Sequence, residues 1–167
     1  MDITLNMNNQ KFNYRVCGII VHNNKLLALK NERTPYYFLP GGRVKLNETV
    51  NEAIMREMKE ELDIDANIVR PLWFNQSFFN EDVTGINFHE ICMYFLVDVS
   101  DTEILSKGDR FTYYDEGQAL EFEWIEFDRI KDEYIYPTFI KDKIYDLPKE
   151  LTILEEREYL REQHIDM

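Results

Sequence analysis

The sequence predicts one α/β domain built around a mixed β-sheet. Apolar runs of strand length recur along the chain, and one segment near residue 50 has helical periodicity instead. No internal repeat, low-complexity tract or linker divides the 167 residues, a length that fits a single domain. With 44% hydrophobic residues, the chain has enough apolar material for a core.

The net charge is strongly negative. The chain has 32 acidic and 19 basic residues, which gives a net charge of −13. This balance argues against binding to a nucleic-acid backbone or an anionic membrane through general electrostatics. Any phosphate group that the protein handles therefore requires cations from solution.

The cysteines and the first residues indicate the compartment. Cys17 and Cys92 both lie within apolar runs, which is more typical of small buried hydrophobic residues than of a disulfide, although a pairing stays open. The segment MDITLNMNNQ lacks the basic and apolar regions of a signal peptide, and no stretch approaches the ~18 apolar residues of a membrane span. We expect a cytoplasmic protein.

The first predicted element is a β-hairpin over residues 14–30. Its two apolar runs are separated by Asn23 and Asn24, and asparagine tolerates the positive φ of a tight turn. A short aromatic strand over residues 36–39 is expected to end at Pro40.

A glycine turn and a helix follow. Gly41 and Gly42 allow backbone conformations that other residues avoid, and a loop then leads to a helix over about residues 48–62. Beyond the helix we predict strands over residues 67–79 and 88–99, joined by a turn over 80–87. A polar irregular segment (100–117), a strand with one solvated face (119–127) and two short helices (128–133 and 138–145) follow. From Lys149 the chain is dense in charge, and it is either a helix packed on the domain or on a second subunit, or a frayed end.

The helix carries three glutamates whose placement is unusual. A helical wheel with ~100° per residue gathers four apolar side chains into a stripe that must face the core: Val50, Ile54, Met58 and Leu62. Glu57 and Glu61 fall within or against this stripe, whereas Glu60 lies beside it.

Two interpretations of these glutamates stay open. An ordinary surface helix with i,i+4 pairs from Arg56 to Glu52 and Glu60 explains Glu60, but it explains neither Glu57 nor Glu61. Carboxylates on the inward side must be paired or bind metal, and hard oxygen ligands suit Mg²⁺ or Mn²⁺.

The same segment resembles the Nudix box. Gly42, Glu48 and the run REMKEELDI at residues 56–64 stand at the family's spacing, preceded by the frequent lead-in LPGG. One position departs from the family's sequence pattern, because Asp63 replaces the glycine near the end of the box. We expect Asp63 to adopt the left-handed conformation that this position requires, which asparagine and aspartate tolerate better than most residues.

The resemblance implies a fold and a domain layout. The order of elements is similar to that of Nudix proteins over about residues 12–145, which implies an α/β/α sandwich with a mixed β-sheet. Residues 146–167 are then a charged C-terminal extension of the same single domain.

The resemblance also implies an activity and a metal site. Nudix enzymes are Mg²⁺-dependent hydrolases that cleave the diphosphate linkage of a nucleoside diphosphate derivative, and Mn²⁺ is a second possible cofactor. Glu57, Glu60 and Glu61 match the family's metal ligands, and the backbone carbonyl of Gly41 matches a further ligand.

Further roles follow from the same match. Glu48 and Arg56 correspond to a pair that holds the loop against the helix. The general base is Glu60 or an acid from the later loop and strand, where Glu116 and Glu121 are the candidates.

The substrate is less defined than the chemistry. Arg43, Phe78 and His89 are candidate substrate contacts. The accessory residues of the ADP-ribose, dinucleoside polyphosphate and coenzyme A subfamilies are missing, so we expect a nucleoside triphosphate or a nucleotide sugar. The alternative is a non-catalytic nucleotide-binding or regulatory module. A homodimer through the tail or an edge strand is a further expectation.

Overall fold

A nine-stranded mixed sheet forms the centre of the protein in the computed structural model, which describes residues 1–158. The strands are β1 (Thr4–Met7), β2 (Gln10–His22), β3 (Lys25–Asn31), β4 (Gly41–Arg43), β5 (Asn67–Asn80), β6 (Asn87–Asp98), β7 (Arg110–Asp115), β8 (Gln118–Glu126) and β9 (Thr152–Arg157). The helices are α1 (Val50–Leu62), α2 (Phe127–Ile130) and α3 (Ile140–Lys143), and a 3-10 helix covers Glu103–Lys107.

The strand pairing confirms the mixed sheet. The strands follow the order β7-β8-β3-β2-β6-β5-β9, and β1 and β4 also pair with β2. The pairs β2–β6 and β5–β9 are parallel, and the other pairs are antiparallel. Among the described residues, no helix is long and apolar enough to cross a membrane.

The predicted hairpin is confirmed as β2 and β3. Val21 pairs with Leu26, and Asn23 and Asn24 have φ values of 49° and 57°. Two consecutive residues with positive φ are the signature of the turn that matches the twist of a hairpin.

Several predicted elements were wrong. Residues 36–39 make only isolated bridges, from Phe38 to Leu29 and from Tyr37 to Ile135, while a strand follows at β4. The segment 100–117, predicted to be irregular, holds the 3-10 helix and β7. Strand β1 pairs with the longer β2, and β7 pairs with the longer β8. A short polar segment does not reveal in its own sequence that such a partner exists, so these strands were not predicted.

The charged tail is a strand where the structure describes it. Residues 152–157 form β9, parallel to β5, instead of the helix that we considered. The charged stretch continues past residue 158, and that part of the prediction lies outside the described residues.

Helix α1 has defined signals at both ends. The hydroxyl of Thr49 accepts a hydrogen bond from the Glu52 N–H at 3.1 Å, and the Glu52 carboxylate accepts one from the Thr49 N–H at 3.2 Å. This capping box fixes the start of the helix. At its end Asp63 adopts the left-handed conformation, with φ 52° and ψ 41°, as expected for the position where the family has glycine.

Apolar side chains pack on both faces of the sheet. On one face α1 contributes Ile54, Met58 and Leu62, which are fully buried against strand residues. On the other face α2 and α3 contribute Ile130 and Ile140. This is the predicted α/β/α sandwich, and it presses the inward side of α1 onto β2 and β4.

Substitution of Asp63 tests the end of this helix. Asp63→Gly removes an exposed ion pair with Lys59, but it also removes the cost of holding a non-glycine residue in the left-handed conformation. The free energy of unfolding should therefore stay within about 1 kcal/mol of wild type. Asp63→Val forces a β-branched residue into positive φ and should lower it by about 1–2 kcal/mol. Urea denaturation of both variants measures the difference, and equal stabilities would contradict the assigned conformation.

Candidate active site

The Arg56 guanidinium connects the loop before α1 to the helix. Its Nε donates to Glu48 Oε2 at 2.6 Å and its Nη2 donates to Glu48 Oε1 at 2.9 Å, which is a two-pronged contact. Nη2 also donates to the carbonyl of Arg43 at 2.9 Å. Nη1 donates to Glu57 Oε1 at 2.8 Å and to Glu60 Oε2 at 3.2 Å. The predicted contact between Glu48 and Arg56 is therefore present.

Glu48 is held in its charged form. The hydrogen bonds from Arg56 outweigh the cost of burial and, with the N–H of Lys45, lower the pKa of Glu48 to about 2. The carboxylates around it raise the pKa of the Arg56 guanidinium, despite partial burial. Charge-assisted, bidentate contacts of this kind are among the stronger hydrogen bonds in proteins.

The inward glutamates lie against the glycine turn. Glu57 is 8% exposed, and a Cβ added at Gly42 would lie 2.3 Å from Glu57 Oε1, so a side chain there would have to displace the Glu57 carboxylate. The carboxylate of Glu61 accepts a hydrogen bond from the Gly41 N–H at 3.3 Å. The wheel was therefore right in placing both carboxylates on the inward side.

The electrostatics of these two carboxylates oppose folding in the charged form. Burial raises the pKa of Glu57, although the hydrogen bond and charge of Arg56 oppose the shift. Burial raises the pKa of Glu61 well above its ordinary value, and the charge of Glu57 adds to the shift. The positive charge around Glu57 and Glu61 is therefore too small to balance two ionised carboxylates on the inward face of α1.

The three glutamates can supply a divalent metal with ligands, although they are not yet gathered around one point. Within residues 1–158 no group of three histidine, cysteine or acidic side chains is arranged to hold a metal ion. The Arg56 guanidinium links Glu57 to Glu60, and Glu61 points to the Gly41 N–H. The donor chemistry still fits Mg²⁺ or Mn²⁺, because three carboxylates on one helix offer hard oxygen ligands and negative charge.

A large cleft opens beside the glycine turn. Its volume is about 700 Å³, and Gly42 and Leu39 belong to its wall. The described lining contains two guanidinium groups, Arg15 and Arg43, against seven carboxylates: Asp2, Glu81, Asp82, Glu90, Asp115, Glu156 and Glu158. A polyanion can enter such a cleft only with accompanying cations.

Tyrosines form one wall of this cleft. The Tyr36 hydroxyl donates to Glu81 Oε1 at 3.0 Å, and the Tyr136 hydroxyl donates to Asp82 Oδ2 at 2.7 Å. The Tyr134 hydroxyl also donates to Asp82. The three rings contact one another with centroids 5.1–5.8 Å apart, which ties the turn after β5 to the segment before α3.

The predicted substrate contacts separate into two groups. Arg43 lines the cleft, where its guanidinium lies 3.7 Å from Asp2. Phe78 and His89 do not line it, and their rings stack on each other with centroids 4.4 Å apart. Side chains alternate between the faces of a strand, so the cleft receives their neighbours Phe79 and Phe88 instead.

The candidate bases also differ in position. Glu60 is on α1, with 45% of its side chain exposed and one oxygen bound to Arg56. Glu121 faces a separate cavity of about 410 Å³, and Glu116 is exposed in the turn between β7 and β8 with φ 50°. From that hairpin the cleft receives Asp115 and Gln118, which sequence reasoning did not select.

Arg15 and Glu90 are two further residues that sequence reasoning missed. Arg15 lies on β2 and Glu90 on β6, and both line the cleft. A signal was present, because Asn13 and Arg15 alternate on one face of a strand that is otherwise rich in apolar residues.

With the fold and the site in view, comparison with known proteins gives the family. Residues 12–145 match the NUDIX domain, and the chain belongs to this family. An ADP-ribose pyrophosphatase from Methanocaldococcus jannaschii is 37% identical over 97 residues, which cover 56% of this chain and 55% of that protein. An 8-oxo-dGTP diphosphatase from Proteus vulgaris is 40% identical over 47 residues, covering 26% of this chain and 42% of that protein.

Those lengths limit what the relatives show. The chain spans about half the length of the curated relatives it matches. Among solved structures, the MutT protein from Methanosarcina mazei Go1 superposes with a TM-score of 0.56 at 19% identity, over 78% of this chain and 88% of that one. This likeness supports the fold.

Removal of one inward charge tests the electrostatic conflict. Folding raises the pKa of Glu61, so its contribution to stability is present below the ordinary value of 4.5 and is lost as the pH rises through the folded value. Without metal, Glu61→Gln should therefore melt at a higher temperature than wild type at about pH 8 and at a similar temperature near pH 5. The pKa of Glu48 is lowered on folding, so the stability that Glu48 contributes is lost only at pH values below the two that are compared.

Thermal unfolding in EDTA at both pH values measures this effect. Glu150→Gln, at an exposed position, is the matched control and should behave like wild type. If Glu61→Gln and wild type keep the same difference in melting temperature at both pH values, the raised pKa is contradicted.

Proposed function

We propose that this protein is a Mg²⁺-dependent hydrolase that cleaves the diphosphate linkage of a nucleoside diphosphate derivative by attack of water at phosphorus. Mn²⁺ would serve in place of Mg²⁺, because both ions take hard oxygen ligands. The observation that carries the proposal is the pair of inward carboxylates, Glu57 and Glu61, packed against a glycine turn at the edge of a large cleft.

The curated relatives support hydrolysis at a diphosphate. One is named a pyrophosphatase and the other a diphosphatase, and the family match covers most of the chain. Both names agree with the chemistry that hard oxygen ligands and an acidic cleft would serve. The activity of this chain is nevertheless our proposal, because the matched regions are about half of those proteins.

The residues of α1 and of the loop before it would have different roles. Glu57 and Glu61, joined by Glu60 and the Gly41 carbonyl, would hold the ion. Arg56 and Glu48 fix the loop that places Gly41 and Gly42 beside the helix. A bound divalent ion would neutralise the diphosphate and lower the pKa of the attacking water.

Glu60 is the proposed general base. Its carboxylate is close to half exposed, so it can accept a proton from a water molecule. Glu121 borders a separate cavity and Glu116 is exposed in the turn between β7 and β8, so neither lies on α1 with the proposed metal ligands, which makes them weaker candidates.

The lining favours a nucleotide sugar over a nucleoside triphosphate. Carboxylates and tyrosine hydroxyls at the wall can hydrogen-bond the hydroxyl groups of a neutral sugar, whereas a third phosphate would add charge to a cleft with seven carboxylates. A small nucleotide substrate also agrees with a cytoplasmic location. The homodimer stays a prediction.

One observation favours the alternative, a nucleotide-binding module without turnover. Arg56 already neutralises part of Glu57 and Glu60, and the described residues hold no ready three-ligand group. Such a module would bind a nucleotide in the same cleft and release it unchanged.

A substrate panel with Mg²⁺ distinguishes the two functions. We expect purified protein to hydrolyse nucleotide sugars faster than nucleoside triphosphates, with one oxygen from H₂¹⁸O found by mass spectrometry in a phosphate of the product. Binding without any product across the panel would instead support the alternative.

Variants then assign the roles within α1. Glu61→Gln should abolish measurable turnover, and Glu60→Gln should lower kcat by about 10²-fold or more with little change in KM, as for loss of a general base. Glu121→Gln and Glu116→Gln are the matched controls and should retain wild-type kcat. If Glu121→Gln loses more activity than Glu60→Gln, the proposed base is wrong.

A further inference from the structure

Arg15 occupies a rigid position at the floor of the cleft. It lies within β2, where its backbone pairs with Arg43 of β4 on one side and with Cys92 of β6 on the other. A strand with neighbours on both sides holds its side chains in fixed directions. The side chain of Arg15 belongs to the cleft lining.

The guanidinium of Arg15 has donors that the protein does not use. Within residues 1–158 no acceptor lies at hydrogen-bond distance from it and no carboxylate lies at ion-pair distance. A guanidinium carries five N–H donors, and leaving them unpaired in a partly buried position is costly. The other guanidinium of the described lining, Arg43, is already close to Asp2 at 3.7 Å.

Longer-range charges keep Arg15 in place. Burial is the largest single effect on Arg15 and opposes its charge, but Glu90 together with Cys17, Cys92 and Tyr94 raises the pKa of Arg15 overall. Glu57 and Glu61 also experience its field, which counteracts the rise in their pKa values. Arg15 is therefore a fixed cation near the inward carboxylates of α1.

We propose that Arg15 binds a phosphate group of the substrate from the sheet side of the cleft. This inference rests on the proposed function and adds to it a residue that contacts the diphosphate directly. A planar guanidinium can donate two parallel hydrogen bonds to a phosphate, which neither Lys nor a bound ion reproduces. Because carboxylates dominate the cleft, this cation also determines where along it the anionic part of the ligand can lie.

Calorimetric titration with α,β-methylene-ADP, a diphosphate that resists cleavage between its phosphorus atoms, tests the proposal with and without Mg²⁺. Arg15→Gln should weaken its binding by about 10- to 100-fold, the range expected for hydrogen bonds to a charged group. Adenosine, which lacks phosphate, should bind wild type and variant equally. Arg15→Lys keeps the charge beside Glu90 but loses the two-pronged geometry, so it should fold like wild type and still bind the diphosphate several-fold more weakly.

Lys143→Gln, at an exposed position of α3, is the control for loss of one positive charge and should bind like wild type. Unchanged affinity in Arg15→Gln, an equal loss for adenosine, or no binding of the diphosphate to wild type with Mg²⁺ would each overturn the inference. Failure of the proposed function is distinguishable. A wild-type protein that binds α,β-methylene-ADP through Arg15 but hydrolyses nothing refutes turnover and keeps this contact.

Discussion

The Arg56 guanidinium is the interaction on which the site depends. It contacts the carboxylate of Glu48, the carbonyl of Arg43 and two helix carboxylates. These contacts join the glycine turn, the following loop and α1 into one unit. The side chains of Arg56 and Glu48 are 20% and 13% exposed, so removing Arg56 would leave the largely buried charge of Glu48 unpaired at a cost of about 3–5 kcal/mol.

The same arginine only partly resolves the charge conflict that the fold creates. Helix α1 must turn its apolar stripe toward the sheet, and Glu57 and Glu61 turn inward with it. Burial raises both pKa values, and the charge of Arg15 offsets only part of the effect. This arrangement weakens the metal-free fold at neutral pH, and under the proposed function a bound cation would relieve the conflict. In a chain of net charge −13, such a cation would also give the proposed anionic substrate a way to bind.

The sequence predicted the elements whose causes are local. Asn23 and Asn24 define their hairpin, and the wheel located Glu57 and Glu61 on the inward side because helical periodicity is strict. The pairing of β9 with β5 was not predictable, because the two strands meet only in the folded sheet. For the same reason the sequence did not show that the cleft lining contains Phe79 and Phe88 and not their neighbours Phe78 and His89, because a shift of one position along a strand moves a side chain to the other face.

The site shows the same division between local and non-local information. The contact of Arg56 with Glu48 and the left-handed Asp63 followed from the spacing of the Nudix box. Arg15 and Glu90 lie on different strands, and only the parallel pairing of β2 with β6 brings them together. The roles of Glu57, Glu60, Glu61 and the Gly41 carbonyl as metal ligands remain proposals.

Anomalous diffraction from crystals soaked in Mn²⁺ tests the central claim most directly. The account predicts a manganese peak within coordination distance of the carboxylate oxygens of Glu57 and Glu61, with Glu60 released from Arg56, and no such peak in Glu61→Gln crystals. A fully soaked wild-type crystal without a peak at α1, in which Arg56 still bridges Glu57 and Glu60, would contradict it.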